Sequence, residues 1–128
     1  MITGTVNADY EAIIRLWVQG PTGHEHEVDA VIDVGFNGFL TLPPALITAL
    51  ELTRLSRGRA LLANGSEELF DIYGVTVMWD GQQRYVEADA VDTTPLVGMS
   101  LLDGYNLHIQ VADGGQVVIQ ASGQGSPC

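Results

Sequence analysis

Asp33 is the side chain in this sequence best placed to do chemistry. It stands in residues 31–42, Val-Ile-Asp-Val-Gly-Phe-Asn-Gly-Phe-Leu-Thr-Leu, where two β-branched residues run straight into the carboxylate. Gly35 follows two positions later, and the chain then returns to an apolar run, Phe39, Leu40, Thr41 and Leu42. A carboxylate at the mouth of a buried strand costs free energy unless hydrogen bonds or a partner compensate. Groups held at such a cost cluster at functional sites. The same spacing also fits a plain turn between two strands, with Gly35 and Gly38 supplying positive φ. The segment alone leaves both readings open.

Other reactive side chains point nowhere as definite. In a strand, His24 and His26 share one face and Glu25 and Glu27 the other. Two histidines without a third ligand nearby in sequence fall short of a zinc site, so they read as solvated residues after a turn. No metal and no cofactor are expected. His108 alternates with Leu107 and Ile109 and reads as a solvent-facing strand residue. There is no Ser-His-Asp spacing, nucleophilic cysteine, phosphate-binding glycine loop or Gly-x-Ser-x-Gly elbow. Trp17 and Trp79 lie in apolar strands and read as core.

The elements that must position Asp33 are mostly strands. Residues 12–18 are β-rich, residues 20–23 form a turn, and residues 24–31 resume as a strand leading into Asp33. Pro43 closes the next strand because proline removes a ladder donor. Residues 44–52 carry Leu46, Ile47, Leu50 and Leu52 behind a proline, which predicts one short helix. Two hairpins follow, turning at Asn64-Gly65 and at Asp80-Gly81. Thr94-Pro95 breaks the chain before Leu96, Val97 and Gly98. Residues 99–104 read as a single helical turn capped by glycine. Strands over 105–111 and 117–121, joined at Asp113-Gly114-Gly115, finish the sheet. There is no linker and no fixed-period repeat.

The 128 residues suit one domain with a real core, over 1–121, with 122–128 as a disordered tail. Hydrophobic residues make up 46% of the chain, a globular composition. The formal net charge is -11, from 16 acidic and 5 basic residues. Such a surface repels phosphate backbones and anionic lipid, which argues against nucleic-acid and membrane-surface roles. The single cysteine, Cys128, leaves no internal disulfide framework. The first residues lack the basic and apolar stretches of a secretory signal, and no apolar run approaches the roughly 20 residues needed to cross a bilayer. A soluble, cytoplasmic protein is expected.

The order of these elements resembles the retropepsin-like aspartic proteases, especially the small single-domain bacterial members. The anchors are Asp33-Val34-Gly35, then Leu96-Val97-Gly98 with residues 99–102, and a hairpin between them. The resemblance covers roughly residues 10–120. It implies an all-β acid-protease barrel with one short helix, working as a homodimer on a peptide or protein substrate. Asp33 would be the catalytic aspartate, and Gly35 would give its loop backbone freedom. Asn64, Gly65 and Ser66 would tip a flap that closes over bound peptide, while Leu96, Val97 and Gly98 would pass beside the aspartate loop.

Hydrolysis of this kind needs one carboxylate to activate water and one carboxylic acid to protonate the carbonyl oxygen. This chain has one such loop. Asp80, Asp103 and Asp113 are each followed directly by glycine and read as turns. The second Asp33 must therefore come from a second copy across a two-fold axis. Val34 departs from the family pattern, which has Thr or Ser whose hydroxyl ties the two loops together. That departure leaves two functions open: an aspartic endopeptidase, or a catalytically silent peptide-binding or scaffolding dimer.

Overall fold

The computed structural model describes residues 1–122. Along the chain run β1 (Ile2–Val6), β2 (Ala12–Gln19), β3 (Glu25–Ile32), β4 (Leu40–Leu42), α1 (Pro44–Ala49) and β5 (Thr53–Leu61). Then come β6 (Glu67–Trp79), β7 (Gln82–Ala90), β8 (Leu96–Val97), α2 (Met99–Leu102), β9 (Tyr105–Ile109) and β10 (Gln116–Ala121). The sheet order is β5-β6-β7-β4-β8-β3-β2-β1-β10-β9. A further pairing of β6 with β2, Trp17 opposite Met78 and Val18 opposite Val77, closes the middle into a six-stranded barrel. Two parts stay outside it: the β1-β10-β9 ribbon on one flank and β5 on the other.

Strand alternation fills the barrel. On β2, Ala12, Ile14, Leu16 and Val18 point inward, and Val75, Val77 and Trp79 do the same on β6. Trp79 is buried, with its ring edge-on to Tyr105 at 5.7 Å between centroids and 82° between planes. Trp17 falls between Leu16 and Val18, so the same period of two turns it outward. It is 50% exposed, which corrects its expected place in the core.

The turns follow their residues. Asp80 and Gly81 take φ of 52° and 81°, the paired left-handed conformation of a two-residue hairpin loop. The earlier hairpin differs: the Gly65 N–H donates to the Leu62 carbonyl and Leu62 N–H to the Ser66 carbonyl, with Gly65 at φ 85°. Asn64-Gly65 therefore lies in a three-residue loop ending on a left-handed glycine. α1 stops at Ala49, short of the expected residue 52, because Glu51 turns to φ 53°. His24 Nε2 and Thr22 Oγ1 both approach the Glu51 carboxylate at 3.1 Å.

β1 was not legible in advance, being short with a glycine at its centre. Gly4 is required there, since a Cβ would lie 2.0 Å from the Ile13 carbonyl oxygen. The terminal amine of Met1 pairs with Asp80. At the other end, the Ser122 N–H and Oγ both donate to the Gly104 carbonyl. The rest of the expected disordered tail, 123–128, lies outside the described residues. Among the described residues no helix is long and apolar enough to cross a membrane.

Candidate active site

Asp33 sits where β3 leaves the barrel wall, half-buried. β3 runs parallel to β8, with Val31 opposite Leu96 and Ile32 opposite Val97. Hydrogen bonds continue past the strand end: Asp33 N–H donates to the Val97 carbonyl at 2.9 Å. The chain then folds back on itself, Phe36 N–H donating to the Asp33 carbonyl at 3.1 Å. Gly98 N–H bonds the Phe39 carbonyl at 3.0 Å, and Met99 N–H bonds the Phe36 carbonyl at 2.8 Å. These bonds stitch residues 33–39 to residues 97–99, so the Asp33 backbone is fixed by the barrel and not by a free loop.

The Asp33 side chain is oriented locally. Its Oδ1 accepts the Gly35 N–H at 2.9 Å. Neither Gly35 nor Gly38 takes positive φ, so the backbone freedom expected of Gly35 is not what the loop uses. A Cβ on Gly35 would stand 3.3 Å from Asp33 Oδ1, and one on Gly38 would overlap the Phe36 ring at 2.6 Å. The demand is for space. It is strongest at Gly98, where a Cβ would meet the Gly38 carbonyl oxygen at 2.2 Å and the Phe36 oxygen at 2.8 Å.

Beside the carboxylate the surface is mostly apolar. Val34 is 61% exposed and shares a cavity of about 230 Å³ with Tyr10, Ile32, Ile109 and Val111, where Glu11 is the one charged lining residue among the described residues. Tyr10 and Val111 are also exposed.

On the other side lies a larger cavity of about 580 Å³. Phe36, Asn37 and Gly38 form its edge toward Asp33, although Asp33 itself does not line it. Its roof is the arm that β5 and the first half of β6 push out from the barrel, through Arg59, Ala60, Glu68, Leu69 and Phe70. Its far wall is the end of β7 with the loop beyond it, and Leu96. The expected tip residues Asn64, Gly65 and Ser66 stand clear of this cavity. All three are exposed, and a Cβ on Gly65 would meet nothing within 4 Å. Thus residues 33–35 and 96–98 come together, and residues 64–66 lie apart from them.

Several residues of this region were not anticipated. Thr41 is the one buried polar side chain among the described residues, and its Oγ1 accepts the Leu96 N–H at 2.9 Å, tying β4 to β8. Its signal was present: a lone hydroxyl inside Phe39-Leu40-Thr41-Leu42. Arg59, Phe70 and Asp89 carried no such mark, because three separate strands bring them to one cavity.

No protein-family model matches the chain, and no curated protein matches it by sequence. Solved structures do. A retropepsin-like aspartic protease from Rickettsia conorii superimposes with a TM-score of 0.60 at 16% identity, over 95% of this chain and 91% of that one. EIAV protease, solved with the inhibitor HBY-793, gives a TM-score of 0.54 at 13% identity, over 75% of this chain and 88% of that one. The architecture is therefore a retropepsin-like, all-β barrel. At this identity the likeness is one of fold.

Proposed function

We propose that the chain is one half of a homodimeric aspartic endopeptidase in which Asp33 from each copy forms a catalytic pair. The observation that carries this reading is the setting of Asp33. A fixed carboxylate lies just behind the Phe36, Asn37 and Gly38 edge of an arm-roofed cavity in a retropepsin-like frame, with an exposed, mostly apolar face around Val34 beside it. Contiguous exposed apolar surface marks an interaction site. A second copy meeting this face across a two-fold axis would cover Val34 and bring the second carboxyl to the first.

The pair then divides the work. Two carboxyls a few ångströms apart share one proton, because both cannot ionise together. The ionised member takes a proton from water as the water oxygen attacks the peptide carbonyl carbon. The protonated member donates to the carbonyl oxygen. Collapse of the tetrahedral species breaks the C–N bond, with a proton passing to the amine. Leu96, Val97 and Gly98 hold the loop, and Asn64, Gly65 and Ser66 tip the arm that folds over the peptide. No metal or cofactor enters this scheme. With one cysteine in the chain, a reducing cytoplasm is the proposed setting.

Val34 favours a second reading, a silent peptide-binding dimer, since a valine supplies no hydroxyl to join the two loops. Sedimentation velocity and a peptide-cleavage assay, each with Asp33→Asn as control, separate the cases. A dimer whose cleavage disappears in Asp33→Asn supports the peptidase. A dimer without cleavage supports the silent binder, and a strict monomer overturns both.

A further inference from the structure

The cavity beneath the arm carries charge that the hydrolytic chemistry does not use. Asp89 lies on β7 in register with Thr41 of β4 and Ile72 of β6, and lines the cavity wall. It is half-buried, and among the described residues no hydrogen bond or ion pair engages its carboxylate. Asp92 lines the same wall, and Glu68 enters from the arm. Among the described residues Arg59 is the only cationic side chain in the lining, and its guanidinium sits 3.6 Å from Glu67, which lies outside it. The remaining walls are mostly apolar, from Phe36, Leu69, Phe70, Val91 and Leu96, with Asn37 and Thr41 as uncharged polar members.

A carboxylate drawn partly out of water without a cation is costly. Burial, and then the neighbouring Glu87 charge, push the Asp89 carboxyl above the usual carboxylate range. A ligand cation would relieve that cost. Lysine and arginine have the matching shape, an aliphatic stem for apolar walls and a charged head for a carboxylate. The net charge of -11 draws such ligands from solution.

We propose that this cavity is a subsite selecting a lysine or arginine side chain in the bound peptide, with Asp89 as the specificity-determining anion and Asp92 and Glu68 beside it. The proposal rests on the peptide-cleft reading above and adds the substrate class, basic peptides.

The test measures binding apart from turnover. Fluorescein-labelled octapeptides with a central Leu-Phe pair carry one lysine walked through the flanking positions, and each has a norleucine twin. Anisotropy titrations use the Asp33→Asn protein. At one position or more, lysine should bind roughly tenfold to a hundredfold tighter than norleucine. Adding Asp89→Asn, a near-isosteric change checked by circular dichroism, should bring that ratio toward one, whereas Asp89→Glu should keep a preference. A ratio near one at every position, or a preference indifferent to Asp89→Asn, overturns the proposal.

Cleavage of the same peptides by the unaltered protein is scored separately. Lysine preference in binding without cleavage supports the subsite and removes the peptidase reading. Cleavage without preference does the reverse. Failure of every peptide to bind overturns both.

Discussion

Asp33, Val34 and Asp89 each bear a distinct burden. Asp33→Asn should abolish peptide cleavage while leaving the far-UV circular dichroism spectrum intact, because Asn can still accept the Gly35 N–H. Persistent turnover would mean that another group does the chemistry. Val34 should matter to association. Replacing it with lysine removes about 1.5–3 kcal/mol of apolar burial from each copy and places like charges together. Sedimentation should show the dimer weakened roughly a hundredfold or more. Asp89 should cost the fold stability. At pH below the ordinary carboxylate range it is neutral whether folded or unfolded and carries no penalty. Above its raised folded value it is charged and the penalty is complete, so stability falls as pH rises between those limits. Asp89→Asn should therefore raise Tm at neutral pH, and the gain should vanish in acid. A loss of Tm at neutral pH would show that the charge is already compensated in the folded chain.

At the scale of elements, the parts nearest Asp33 are the most tightly specified. Gly98→Ala drives a Cβ into two carbonyl oxygens and should cost about 3 kcal/mol or more in urea unfolding, the upper end of overpacking costs. Gly65→Ala meets open space and should cost only the left-handed strain, about 1–2 kcal/mol. Equal costs would mean that the β3–β8 junction is looser than its hydrogen bonds imply. The sequence was readable where one short run carries its own reason. Asp33 with its apolar lead-in, Asp80-Gly81, and Leu96-Val97-Gly98 before a helical turn are such runs. It was unreadable where a strand has no buried face. β5 is almost wholly exposed and rich in arginine, Arg54, Arg57 and Arg59, so no alternation marks it. The β2–β6 closure and the acidic cavity were silent for a further reason. Both are built from residues distant in sequence, and neither leaves a local pattern.

Across the whole molecule, the acidic surface should set the reach for substrate. Cleavage of basic peptides should slow as salt rises toward the point where the Debye length is about 3 Å, while norleucine peptides respond much less. Equal salt dependence would argue that the charge acts on solubility alone. A last consequence comes from β6, which runs unbroken from Glu67 at the arm to Trp79 in the core. The roof of the cleft and the seam of the barrel are thus two ends of one rod. A rod has no loop in which to lose a displacement. Tilting its outer end by seating a peptide must register at its inner half, where Met78 faces the half-exposed Trp17. The indole should then serve as a built-in optical gauge, its emission shifting as the roof comes down, with Trp17→Phe silencing the signal. A spectrum unmoved by saturating peptide would show that the rod bends before it reaches the seam.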